Sequence, residues 1–261
     1  MYSFVSGATG GIGKAFSKEL AFLGNNLFLT GRSEEKLNKL KEELLKVNSN
    51  IDILTFACDL AVEEERAKLI ENIESRGIKI GRICNVAGVD IQKAFCDYTL
   101  SKVLFQIRVN VEATITLTHE LLKFKSDKLE IVTISSMSGV SPMPYFAIYS
   151  ATKCCLTNFF TALHYELKGE GIKCTVVLPG GVPTRPDIIE DIKGQGLWGK
   201  LSVQTPEKIA KKSLKAVRKN KVKLIPGFFN KFLYCVMKIA PKGIVLRFIA
   251  RRWKKQTKDA F

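Results

Sequence analysis

Tyr149 and Lys153 stand four residues apart, a spacing that places both side chains on one face of a helix. Thirteen residues before the tyrosine comes Ser136, in Ile131-Val132-Thr133-Ile134-Ser135-Ser136-Met137-Ser138-Gly139, which reads as a strand ending in hydroxyls. A phenol, an ammonium and a hydroxyl brought together suit proton transfer at a carbonyl oxygen. A free tyrosine, with a pKa near ~10, exchanges its proton sluggishly at neutral pH. A neighbouring ammonium favours the phenolate and pulls that value toward the range acid–base catalysis prefers. A serine hydroxyl can donate a hydrogen bond to the same oxygen as negative charge develops there. Ser135 reads as a packing or strand-end residue, and Tyr145 as either a cleft-lining or a surface side chain.

A second constellation opens the chain. The run Tyr2–Ser6 leads into Ser6-Gly7-Ala8-Thr9-Gly10-Gly11-Ile12-Gly13 and then a helical pattern. Glycines here permit a tight turn and a close approach to a pyrophosphate, and the following helix offers free N–H groups and a positive dipole end. The strict G-x-G-x-x-G fingerprint is absent, so the turn alone is a weak signal. The second strand ends Thr30-Gly31-Arg32-Ser33. An NAD-preferring site places an acid near this point to bind the adenosine ribose. Arg32 can instead pair with a 2′-phosphate, which favours NADP(H) over NAD(H).

These residues need a scaffold, and the pattern supplies one. Strands are predicted at Tyr2–Ser6, Leu27–Thr30, Ile51–Ala57, Ile80–Asn85, Glu130–Ser135, Lys173–Leu178 and Val222–Ile225. Helices are predicted at Gly11–Leu23, Glu34–Val47, Val62–Arg76, Leu100–Lys123, Tyr149–Leu167 and Pro206–Lys219. Such alternation implies a doubly wound α/β fold, a parallel sheet of about seven strands with helices on both faces. Ligands then sit at the carboxyl ends of the strands. The Gly- and Pro-rich stretch Pro179–Thr205 reads as a mobile loop, with Ile188, Ile189, Leu197 and Trp198 in a lid over the substrate. Residues 1–225 form the catalytic domain and residues 226–261 a helical extension that is not an independent domain.

Together the motifs resemble the short-chain dehydrogenase/reductase family, in its compact single-domain branch. Ser6 stands where that family has threonine, and Gly31 where its NAD-preferring members have an acid. Cys58-Asp59-Leu60 resembles the segment that contacts the adenine. Asn85-Val86-Ala87-Gly88 is close to the family's Asn-Asn-Ala-Gly, from which Val86 departs. Tyr149-Ser150-Ala151-Thr152-Lys153 matches the catalytic helix, and Pro179-Gly180-Gly181-Val182-Pro183-Thr184 the segment near the nicotinamide carboxamide. The resemblance spans residues 2–184. It implies Asn110, Ser136, Tyr149 and Lys153 as the catalytic set, with Asn110 supporting a water relay. It implies a cofactor site of Ser6, Gly7, Thr9, Gly11, Ile12, Gly13, Arg32, Asp59, Leu60, Asn85, Ala87, Gly88, Asn110, Tyr149, Lys153, Pro179, Gly180, Val182 and Thr184, and no metal. It further implies an oxidoreductase interconverting a carbonyl and a secondary alcohol on a hydrophobic substrate, similar to the ketoacyl reductases and hydroxysteroid dehydrogenases. The alternatives are a catalytically silent nucleotide-binding regulator or membrane-surface adaptor, which need not keep all four catalytic residues, and an epimerase or dehydratase of the extended branch.

Composition narrows the field further. Two histidines, His119 and His164, exclude a histidine-rich metal site. Seven cysteines without paired spacing read as reduced, buried packing residues in a cytoplasmic protein. The net charge of +16 is not spread evenly: residues 1–206 carry +1 and residues 207–261 carry +15. In the extension, Phe228, Phe229, Phe232, Leu233, Val236, Met237 and Ala240 recur at helical spacing, with Asn230, Lys231, Tyr234 and Lys238 on the other side. A second stretch sets Val245, Phe248, Ile249 and Trp253 against Arg247, Arg251, Lys254 and Lys255. These stripes are read as covering the sheet edge or substrate cleft, as a homo-oligomer contact (dimer or tetramer), or as a peripheral membrane surface. Nucleic acid is disfavoured, because the basic face carries no recognised binding motif.

Overall fold

A strand that reads Phe4-Val5 sends one side chain to each face of its sheet, and the chain provides a helical layer for both. The computed structural model describes residues 1–194 and 196–254. Its strands β1 (Tyr2–Ser6), β2 (Asn26–Gly31), β3 (Ile53–Ala57), β4 (Ile80–Asn85), β5 (Lys125–Ile134), β6 (Ile172–Val177) and β7 (Lys223–Leu224) form one sheet in the order β3-β2-β1-β4-β5-β6-β7. All pairings are parallel. The order reverses between β1 and β4, which opens a crevice beyond their carboxyl ends.

One face of the sheet packs Val5, Leu27, Leu29, Val132 and Val177 against α1 (Gly11–Phe22), α2 (Glu34–Val47) and α9 (Pro206–Arg218). The opposite face packs Phe4, Phe28, Ile83, Ile131 and Val176 against α3 (Glu63–Ser75), α5 (Ala113–Leu122) and α6 (Ala147–Glu166). The period of two is visible residue by residue: Phe4 and Val5, Phe28 and Leu29, Ile131 and Val132 each divide between the layers. Local signals start the helices where packing needs them. Ser33 caps α2 by accepting from the Lys36 N–H, and Glu34 and Glu35 complement its dipole. Thr205 does the same for α9 through the Lys208 N–H, with Pro206 in the first turn.

Three expectations change. The single helix predicted over Leu100–Lys123 is α4 (Leu100–Ile107) and α5, separated by a π-helical turn over Arg108–Glu112 that holds Asn110. The loop predicted over Pro179–Thr205 contains α7 (Pro186–Gly194) and α8 (Gly196–Ser202). Of the seven cysteines, only Cys58, Cys84 and Cys174 are buried, and burial pushes each thiol up to about 12. Cys96, Cys154, Cys155 and Cys235 are exposed.

The extension forms α10 (Phe228–Ile239) and α11 (Lys242–Trp253). Asn230, expected on the polar side of α10, is buried instead. Its amide donates to the carbonyls of Ser202 and Pro226, at 2.9 and 2.8 Å, and a Cβ on Gly180 would collide with it at 2.7 Å. Satisfied in this way, a polar side chain can be buried. Trp253 of α11 stacks on Phe146, ring centroids 6.2 Å apart. The side chains of Leu197 and Trp198, expected in a lid, and all of Lys255 lie outside the described residues. No helix among the described residues is long and apolar enough to cross a membrane.

Candidate active site

The turn after β1 is built around missing side chains. Gly7 adopts φ +64, and a Cβ there would meet the Ala87 backbone at 2.8 Å. A Cβ on Gly13 would lie 2.1 Å from the Gly7 carbonyl oxygen, and one on Gly11 2.8 Å from Thr184. The three glycines therefore let β1, the start of α1 and the segments after β4 and β6 converge, leaving a cleft of about 280 Å³. Gly7, Thr9, Gly11, Ile12, Gly13, Arg32, Asp59, Leu60, Ala87, Gly88 and Thr184 line it, as the sequence motifs propose. Val89, Phe105 and Arg185, which no motif singled out, line it as well, together with Val109 beside Asn110. Backbone N–H groups at the start of α1, unencumbered by side chains, suit the pyrophosphate of a nicotinamide dinucleotide.

Other proposed cofactor residues stand behind this wall. The buried Ser6 hydroxyl accepts hydrogen bonds from the Val86 and Ala87 N–H groups, at 3.0 and 3.2 Å. Asn85 points into the core, donating to Thr118 and Thr133. The Pro179 carbonyl accepts from the Met137 N–H, Gly180 is pressed against Asn230, and Val182 is buried in the core beneath α1 and α9. None of the five lines the cleft, so their part is to shape it.

At the chemical end, α6 carries Tyr149 and Lys153 to the end of β5. Lys153 is only 3% exposed; its ammonium donates to the Ile134 carbonyl at 3.0 Å and lies 5.6 Å from the Tyr149 ring centroid. Burial lowers it to about 8, with Asp90 opposing. Gly88 comes so close that a Cβ would lie 3.2 Å from Lys153 Nζ and 3.4 Å from the Asn110 oxygen. The Ser136 hydroxyl, which accepts from the Ser138 N–H at 3.1 Å, stands near enough to the Tyr149 phenol to act on it. The phenol is pushed well above its ordinary value by burial and then by the Asp90 carboxylate, while Ser136 and Arg185 pull it down. The expectation from sequence is a phenol lowered by Lys153 and an oxidised nicotinamide together, and burial works the other way. The reason for the difference is that burial raises the phenol and at the same time weakens the lysine's own charge.

Asn110 is fully buried and occupied. Its oxygen accepts from the Val89 N–H at 2.8 Å, and its amide donates to the Val89 carbonyl at 2.9 Å and to Thr152 at 3.1 Å. These bonds clamp the segment after Gly88 onto α6. Ser135 bonds the Lys153 carbonyl and Thr157, as a packing residue should. Tyr145, with φ +64, lines a second cavity of about 300 Å³ with Lys93, Phe95, Tyr98, Pro144, Ala147, Ile148 and Ala250 of α11.

A glycine-walled cleft at the switch point, running toward a Ser–Tyr–Lys group, agrees with the comparison against known families. The model for the short chain dehydrogenase family matches residues 2–189. The chain belongs to that family. Among relatives, the very-long-chain 3-oxoacyl-CoA reductase of Mus musculus is 33% identical over 193 residues, covering 70% of this chain and 60% of that protein. The reductase of the same name from Macaca fascicularis is 32% identical, covering 83% and 68%. The 11-beta-hydroxysteroid dehydrogenase-like 4A of Arabidopsis thaliana is 26% identical, covering 92% and 81%. The chain thus spans about 60% of the length of the mouse relative it matches. Among solved structures, a 7beta-hydroxysteroid dehydrogenase superposes with a TM-score of 0.87 at 25% identity, covering 95% of this chain and 96% of that one.

The Ser6 bonds generate a prediction. Ser6→Ala removes the acceptor of two N–H groups in the cleft wall, at roughly 1–3 kcal/mol for each group left unsatisfied. Thermal unfolding should occur at a clearly lower temperature, and NADPH, titrated by its fluorescence, should bind more weakly. Ser6→Thr, the family's residue, should restore both. A Ser6→Ala protein as stable as the parent would show that these bonds contribute nothing.

Proposed function

We propose that this chain is an oxidoreductase that interconverts a carbonyl and a secondary alcohol on an apolar substrate, using NADP(H) in preference to NAD(H). The observation that carries the reading is the nearness of Ser136, Tyr149 and Lys153 to one another, with Lys153 lying against Gly88 of the cleft wall. A bound nicotinamide would supply or accept the hydride there. Tyr149 gives its proton to the carbonyl oxygen in reduction and takes it back in oxidation. Ser136 donates to the same oxygen as charge develops on it. Lys153 presents a cation beside the phenol, which favours the phenolate once the proton has left. Asn110 keeps the Ala87-Gly88-Val89 turn and α6 in register, so that the cleft and the phenol face one another.

The cofactor preference rests on residues 31 and 32. A Cβ at Gly31 would press on Thr9 Oγ1 at 3.2 Å, so an acid there would crowd the turn. Arg32, exposed and lining the cleft, offers a guanidinium to a 2′-phosphate. An apolar substrate suits the second cavity, whose walls include Phe95, Pro144, Tyr145 and Ile148. The names of the relatives, acting on very-long-chain oxoacyl-CoA and hydroxysteroids, point to the same chemical class.

A peripheral membrane contact has its own observation. On α10, Phe228, Phe232, Val236 and Ile239 are 89%, 55%, 39% and 85% exposed, an outward stripe at i, i+4, i+8 and i+11. Ile244 and Phe248 of α11 add 66% and 56%. Exposed Lys231, Lys238, Lys242, Arg247 and Arg251 accompany them. Apolar anchors among cations complement an anionic lipid surface, at roughly 1 kcal/mol per basic residue that reaches it.

NADPH oxidation measured across ketosteroids, ketoacyl thioesters and small aldehydes tests the main reading. Tyr149→Phe should cut turnover by ~10²–10⁴-fold while NADPH binding stays within a few-fold. Retention of more than about a tenth of the rate would remove Tyr149 as the acid. Arg32→Ala should raise the KM for NADPH and leave NADH nearly unchanged; equal kcat/KM for both cofactors in the parent protein would end the NADP preference. For the membrane contact, the protein should co-sediment with anionic vesicles at low salt and retain a part of that binding at high salt. The triple substitution Phe228→Ser, Phe232→Ser, Ile239→Ser should lose the salt-resistant part, and no sedimentation at low salt would refute the contact.

A further inference from the structure

A charge pair outside every motif stands beside the cleft, with Arg185 in its lining. Asp90 follows the Ala87-Gly88-Val89 turn after β4. Arg185 follows Thr184 and leads directly into α7. Arg185 Nη2 donates to Asp90 Oδ1 at 2.9 Å, with the side chains 30% and 22% exposed. The two residues are 95 apart in sequence, so the bond joins segments that nothing local brings together. Each neighbour is already engaged: the Val89 backbone is held by Asn110, and Thr184 is packed against Gly11. Beyond the pair, Ile192 of α7 approaches Gly181.

We infer that Asp90 and Arg185 are positioning residues of this site: their ion pair ties the start of α7 to the turn after β4, and it fixes the Asp90 carboxylate two residues from Gly88, the glycine that lies against Lys153. The tie itself does not depend on the proposed reaction, whereas its effect on turnover rests on that reading. The groups facing Lys153 show why the carboxylate matters. The π-helical turn presents neutral Asn110, the end of β5 presents the Ile134 carbonyl, and α6 presents Tyr149. Among the described residues the charge that acts on the ammonium is that of Asp90, with Arg185 as its partner. Burial works against the ammonium, and Asp90 is the group that opposes it. Asp90 also discourages premature loss of the phenolic proton, while Arg185 moderates that effect on Tyr149.

The sign of the pH dependence follows. Lys153 sits at about 8, below its ordinary 10.5. Removing the Asp90 charge lowers it further, so the cation is lost at a lower pH. The phenol moves in the same direction. In reduction, where both protons must be present, the basic limb of kcat/KM should shift toward lower pH in Asp90→Asn.

The test uses the full chain and three variants, Asp90→Asn, Arg185→Gln and the exchange Asp90→Arg/Arg185→Asp. Amide hydrogen exchange over residues 186–194 reads the tie. ¹³C-lysine NMR titration, with the Lys153 resonance assigned by its loss in Lys153→Arg, reads the field without any turnover. Both single variants should exchange about fivefold faster over α7, the scale of one partly exposed ion pair. The exchanged pair should recover the protection, because the bond re-forms. In Asp90→Asn the Lys153 midpoint should fall below about 8, and in the exchanged pair it should not recover, because the charge facing the lysine is inverted. Unchanged exchange over α7 together with an unchanged Lys153 midpoint in Asp90→Asn overturns the inference. If these shifts occur in a protein that reduces no carbonyl, the positioning stands and the oxidoreductase reading fails.

Discussion

Burying an ammonium costs several kcal/mol unless its surroundings replace the water it gives up, and the site is arranged around meeting that cost at Lys153. The Ile134 carbonyl at the end of β5 accepts one of its hydrogen bonds. Asp90 supplies the opposing charge. Gly88 leaves room for the side chain to reach this position, since even one carbon there would press on Nζ at 3.2 Å. The compensation is incomplete, which is why the lysine sits at about 8 rather than near 10.5. A cation held close to neutral pH in this way remains sensitive to each nearby charge.

The turn Ala87-Gly88-Val89 is where the two halves of the site meet. Ser6 accepts from its first N–H, Gly7 packs against Ala87, and Asn110 grips both polar atoms of Val89. Asn110 in turn bonds Thr152, the residue before the lysine. A displacement of the dinucleotide end would therefore reach α6 through a short chain of bonds. Gly139 fixes the other side of α6: a Cβ there would lie 2.7 Å from the Lys153 carbonyl carbon. Helix and strand end cannot approach as closely with any other residue, and that approach brings Ser136 to Tyr149.

Most of the fold was legible because its determinants are local. Alternating apolar residues, helix caps such as Ser33 and Thr205, and the four-residue step from Tyr149 to Lys153 all lie within short windows of sequence. What escaped depends on partners far away. Asp90 and Arg185 are joined across 95 residues, a pairing that no short window of sequence contains. The π-helical turn at Asn110 interrupts a helix whose pattern runs unbroken, because its reasons, Val89 and Thr152, lie outside the window. Ser6 and Asn85 were expected in the cofactor site on the strength of position. Spacing does not disclose that their side chains turn inward to bond backbone and threonine. Asn230 looked like a surface residue until the carbonyls of Ser202 and Pro226 gave its amide a reason to be buried.

The rings of Tyr149 and Phe146 stack with centroids 4.4 Å apart, and Phe146 stacks on Trp253 at 6.2 Å. Trp253 of α11 is thus the third member of an aromatic column whose first member is the Tyr149 phenol. Whatever shifts α11 would press on the back of that column, so the seating of a helix far from the cleft in sequence becomes a matter for the chemistry.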